Sequence, residues 1–174
     1  MGNLAKLVKL SKFRFVSGVA TVEFSILIVP LLLLLFGVTE YGRAIYQYNT
    51  LVKSVRDASR YLSAVAPGSG HSAARCLAVY GNTNCSGNPL APGLATTMVT
   101  ICDASIAGCQ ATHQSQQTGQ GTVNLVTVSI NDLSLPDNQK FKFDSVFDFT
   151  LFGFRLGAPN ITYNPIRNTM RQAS

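Results

Sequence analysis

"SGVATVEFSILIVPLLLLLFG", residues Ser17 to Gly37, decides how the rest of the chain is read. From Val19 to Val38, an apolar run of 20 residues is interrupted only by Thr21, Glu23 and Ser25. As a helix it is about 30 Å long, the thickness of a bilayer's hydrocarbon core. Its single charge is the anomaly: a carboxylate within a span costs roughly 2.5–3.5 kcal/mol on insertion scales. Pro30 removes one backbone hydrogen bond from the helix and predicts a kink there.

Working outward, Lys6, Lys9, Lys12 and Arg14 precede the run, with no acid before Glu23. Such a flank keeps the N-terminus cytoplasmic and sends the remainder across. It also accounts for most of the formal charge of +6, because beyond residue 18 ten basic side chains face eight acidic ones. No nucleic-acid partner follows from so small an excess. Downstream, "GVTEYGRAIYQYN" lacks the small-residue cleavage site of a secretory signal, so the span is expected to persist as an anchor.

The helical pattern continues past the span. Tyr41, Ala44, Ile45, Tyr48, Leu51, Val52, Val55, Ala58 and Leu62 recur at spacings of three and four, and Tyr41, Tyr48, Val55 and Leu62 form a packing seam seven apart. Glu40, Arg43, Gln47, Lys53, Arg56, Asp57 and Arg60 take the other faces. Pro67-Gly68-Ser69-Gly70 stops the helix near Ala66. The chain therefore reads as a basic leader (1–18), a transmembrane helix (19–38), an amphipathic extension (39–66) and a small extracytoplasmic domain (67–174).

The order of basic residues, Gly18, four residues, Glu23-Phe24 and an apolar body resembles the type IV prepilin signal of Flp-type pilins and TadE-like pseudopilins. The resemblance runs on through Val22-Glu23-Phe24, Pro30, Leu31 to Leu35, Phe36-Gly37, Glu40-Tyr41-Gly42-Arg43-Ala44 and Arg56-Asp57-Ala58-Ser59-Arg60-Tyr61. Thr169-Met170-Arg171 is similar to the end of such chains. It implies cleavage between Gly18 and Val19 by a membrane aspartyl prepilin peptidase. Glu23 would then be the fifth residue of a helix that begins with a free amine, and a paired charge is far cheaper to bury than a lone one. It also implies a bacterial inner-membrane protein, N-terminus cytoplasmic and distal domain periplasmic. Its partners would be the peptidase, other pilins and pseudopilins, the assembly platform and membrane lipid. The role would be pilus assembly in support of adhesion and biofilm formation.

In the distal part, a helix is expected at Ser72–Tyr80. "TMVTIC" (Thr97–Cys102) and "TVNLVTVSI" (Thr122–Ile130) alternate like strands and pair across "QATHQSQQTGQG". A last strand fits Asn160–Met170, with Pro165 marking an edge or bulge. The aromatics from Phe141 to Phe154 fit either a strand or a covering loop. The fold expected is α+β, a long N-terminal helix packed on a small antiparallel sheet, similar to type IV pilins.

Cys76, Cys85, Cys102 and Cys109 all follow the span, and an even number in an oxidising compartment points to two disulfides. Pairing 76 with 85 and 102 with 109 is preferred, although spacing leaves the crossed and nested pairings open. The spacings fit no zinc site, and no metal or other cofactor is expected. His71 and His113 lie in loops, and Asp103, Asp132, Asp137, Asp144 and Asp148 are scattered without a regular calcium loop. Neither a G-x-S-x-G nor another catalytic motif accompanies them. Two alternatives to a pilus component remain: an anchored ligand-binding module, or an anchored hydrolase using one histidine with a serine and Asp103 or Asp132.

Overall fold

The computed structural model describes residues 17–147, 149–151, 154–156 and 161–173. Leader residues Lys6, Lys9, Lys12 and Arg14, together with Asp148, Phe152 and Asn160, lie outside them. The chain divides into two compact units between Val38 and Thr39.

Up to Val38 the described chain is one helical segment, the first part of α1 (Ser17–Ser63). The helix continues through Pro30. Large apolar side chains such as Leu27, Leu31, Leu34 and Val38 are exposed all along it. Ser25 donates its hydroxyl to the carbonyl of Thr21 at 2.8 Å, so this polar side chain is satisfied within the helix.

From Thr39 on, the remainder of α1 packs against a small α+β domain. Leu51, Val55, Ala58 and Leu62 are at most 1% exposed. They meet Ala74, Ala78 and Val79 of α2 (His71–Tyr80) and the inner face of the main sheet. That face is built by alternation: Val99 and Ile101 of β1 (Val99–Asp103), Val126, Val128 and Ile130 of β3 (Gly121–Ile130), and Ile166 of β8 (Ile166–Gln172). Burying each such side chain contributes about 1.5–3 kcal/mol.

The sheet has four antiparallel strands. Central β3 pairs with β1 over Val126–Ile130 and with β8 from Asn124 to Ile130, and it forms a hairpin with β2 (Gln116–Thr118). Between β1 and β2 lies the one-turn helix α3 (Gln110–His113). Two further ribbons follow: β4 (Lys142–Phe143) with β7 (Ile161–Thr162), and β5 (Phe149–Leu151) with β6 (Phe154–Leu156).

Three expectations are adjusted. The helix stops at Ser63, three residues before Ala66, in a turn where Ala64 and Val65 donate to Tyr61 and Leu62. The last strand is interrupted at Pro165, not bulged, and of the two alternatives the edge holds: among the described strands β8 pairs with β3 alone. Pro165 has no N–H for a ladder, and the chain leaves strand geometry from Tyr163 to Pro165 before β8 begins. The segment 141–156, open between strand and loop, contains three short strands. Helix α2 is bounded by Gly70 at φ 74° and Gly81 at φ 73°. At Gly70 a Cβ would also sit 3.0 Å from the Tyr61 ring, so glycine serves both conformation and space there.

Candidate functional site

Gly18 sits in the first turn of α1, and a Cβ there would meet nothing within 4 Å. Val19, Glu23 and Phe24 are exposed. Val19 and Glu23 are separated by four residues on a helix, hence neighbours one turn apart on the same face. An amine at Val19 would lie one helical turn from the Glu23 carboxylate.

The seven-residue seam divides. Val55 and Leu62 enter the core, whereas Tyr41 is 70% exposed and Tyr48, also exposed, makes a tilted contact with Tyr163 at 5.8 Å. The inward stripe at this level is Glu40, Arg43, Ala44, Gln47 and Leu51, the i, i+3, i+4, i+7, i+11 set of one helix face. Gln47 is buried and Glu40 and Arg43 are half-buried, although their residue types had placed them on solvent faces. Glu40 and Arg43 are held by partners. Arg43 pairs with Glu40 at 3.0 Å, donates to the Asp144 carbonyl and lies 4.5 Å from the centre of the Phe143 ring. Glu40 Oε1 accepts from the Val146 amide at 3.3 Å. Tyr163 donates its hydroxyl to the Ala44 carbonyl at 2.9 Å, and burial raises its pKa. The sequence signal for this clamp is an acid and a base three apart just after the apolar run. Their partners are about a hundred residues away, which hides the rest.

Cys76 is bonded to Cys85 and Cys102 to Cys109, with Cα atoms 4.7 Å and 5.6 Å apart. Both links close short loops beside the core. His71 and Asp103 come together: the buried carboxylate accepts from His71 Nε2 at 2.7 Å, the Gly68 amide at 2.9 Å, and the Ser105 amide and hydroxyl at 2.9 and 2.6 Å. Burial alone would raise the Asp103 pKa. The bonds from Ser105, Gly68 and His71 outweigh it and hold the group well below the usual carboxylate range. Imidazole and hydroxyl both address the carboxylate, an arrangement that ties the α1–α2 turn to the end of β1. His113 lies elsewhere, bonded to Thr112 Oγ1 and Thr127 Oγ1 at 2.7 Å each. Asp132 receives the Ser134 amide and is held low chiefly by that bond.

Asn131 escaped the sequence reading. It follows β3 with φ 59°, is 1% exposed, and bonds both backbone groups of Phe141 and the Tyr163 carbonyl. An Asn after a β-branched run is a visible turn signal, but its partners are not local.

No curated protein and no solved structure matches the chain. The family model described as TadE-like protein matches residues 18–60, which run from the glycine at the head of α1 to the arginine one turn before its end. Over those residues the chain is similar to the family described as TadE-like protein.

Proposed function

We propose that this protein takes part in assembling a tight-adherence (Flp-type) pilus as a single-pass pseudopilin or minor pilin. The observation that carries the reading is the composition of α1. An exposed apolar segment long enough to cross a bilayer is headed by Gly18 with Glu23 five residues on, and this whole stretch lies within the TadE-like match. In this reading the basic leader stays in the cytoplasm and a prepilin peptidase cuts between Gly18 and Val19. The domain from Thr39 then faces the periplasm. Other pilins, pseudopilins and the inner-membrane platform engage the exposed span by helix packing in lipid, and the assembled pilus supports adhesion and biofilm formation.

The test is the intact mass of the protein recovered from membranes with and without the peptidase. The expected species begins at Val19 in the first case and at Met1 in the second. Recovery of Met1-bearing protein from peptidase-competent cells that make normal pili overturns the proposal.

A further inference from the structure

The helix changes polarity pattern along its length within the distal unit. From Leu51 to Leu62 apolar residues face inward, and Lys53, Arg56, Asp57 and Arg60 face out. From Glu40 to Tyr46 the pattern is inverted: the charges of Glu40 and Arg43 are covered, while Tyr41, Ile45 and Tyr46 are exposed, the two tyrosines by 70% and 72%. A surface facing water gains nothing from that inversion. One facing lipid headgroups does, because tyrosines favour the membrane interface and uncompensated charges do not enter it cheaply.

The rest of the domain adds to the same end. Among the described residues beyond α1, the exposed large apolar side chains are Leu90, Leu133, Val146 and Ile161. The last three lie on segments that converge here. Val146 donates its amide to Glu40, Ile161 pairs with Phe143 beside Arg43, and Leu133 follows Asn131, which is bonded to the Tyr163 carbonyl. Lys142 is exposed on the same ribbon.

We infer that this face of the domain, around the exposed Val146, rests in the headgroup layer of a phospholipid bilayer. The partner is a phospholipid surface, with Lys142 placed for its phosphates. In sequence, Glu40 and Arg43 follow Val38, the last residue of the apolar run, by two and five positions, the stretch of chain that leaves a span through the interfacial layer. The inference rests on α1 being a membrane anchor, as proposed above.

The test places an environment-sensitive fluorophore on the full chain in nanodiscs of phosphatidylethanolamine and phosphatidylglycerol doped with headgroup-nitroxide lipid, one copy per disc. Labels go at Val146→Cys, at Leu34→Cys in the span, and at Gln120→Cys in the hairpin tip at the opposite end of β3. Intact mass verifies that both native disulfides persist. Val146→Cys is expected to lose most of its emission to the nitroxide, and Gln120→Cys to keep it. Quenching at Leu34→Cys with none at Val146→Cys overturns the inference and leaves the anchor standing. Quenching at neither overturns the anchor reading, and this inference with it. Shielding of Val146→Cys that occurs only in discs loaded with two copies assigns the surface to a second subunit and overturns the inference too.

Discussion

Asp103 and Asn131 show how much a small domain delegates to single polar side chains. The Asp103 carboxylate is fully buried and takes hydrogen bonds from three residues. Its folded pKa lies below its unfolded value of about 3.9. The sign follows by linkage: its contribution is complete above about pH 4 and is lost as the pH falls toward the folded pKa. In urea titrations of the full chain, Asp103→Asn should be less stable than wild type at neutral pH. The gap should narrow below about pH 4; a gap independent of pH would remove the carboxylate's charge from the account. Asn131 combines two constraints, a left-handed backbone and three hydrogen bonds to backbone groups, two of them buried. Asn131→Ala loses both and should cost about 3 kcal/mol. Asn131→Gly keeps the backbone conformation and should recover about 1 kcal/mol of that. Equal losses in thermal unfolding would show that the conformational part is absent.

At the scale of elements, what could be read from the sequence was what repeats locally. β3 alternates Val126, Val128 and Ile130 inward, and the later turns of α1 place Leu51, Val55, Ala58 and Leu62 on one stripe. Periods of two and of about 3.6 residues suffice for these elements. Of the seam, Val55 and Leu62 reach this chain's core while Tyr41 and Tyr48 are exposed, since spacing identifies a stripe and not what covers it. At Glu40 and Arg43 the covering comes from the 143–146 segment. No helical period encodes a strand a hundred residues downstream, and the ribbons β4–β7 and β5–β6 are too short to carry a period of their own. The divided seam predicts an asymmetry. Leu62→Ala removes a fully buried side chain and should destabilise the detergent-solubilised protein by about 2–5 kcal/mol. Tyr41→Ala should stay within about 0.5 kcal/mol of wild type. Comparable losses in chemical denaturation would mean that Tyr41 is a core residue after all.

For the whole molecule, the TadE-like likeness could be read from the sequence because several constraints coincide in a few residues: upstream basic residues, a glycine, an acid five residues on, and an apolar helical run. The domain beyond the helix offered no comparable coincidence, and the family match likewise ends at residue 60. Glu23 remains the residue on which a tether and an assembling subunit differ. A tether is indifferent to it, or gains by its removal, since an apolar replacement lowers the cost of insertion. A subunit trimmed to Val19 needs the carboxylate, because its new amine lies one helical turn away and has no other anion on that face of the span. Glu23→Ala should therefore still enter the membrane and still be cut after Gly18, but yield few or no pili. Glu23→Gln, which keeps shape and polarity without charge, should behave the same way. Electron microscopy of cells carrying each variant, with the mass of the membrane form alongside, separates insertion, cutting and assembly. Normal pili from Glu23→Ala would leave the acid in the span without a function in assembly and would favour a simple anchor.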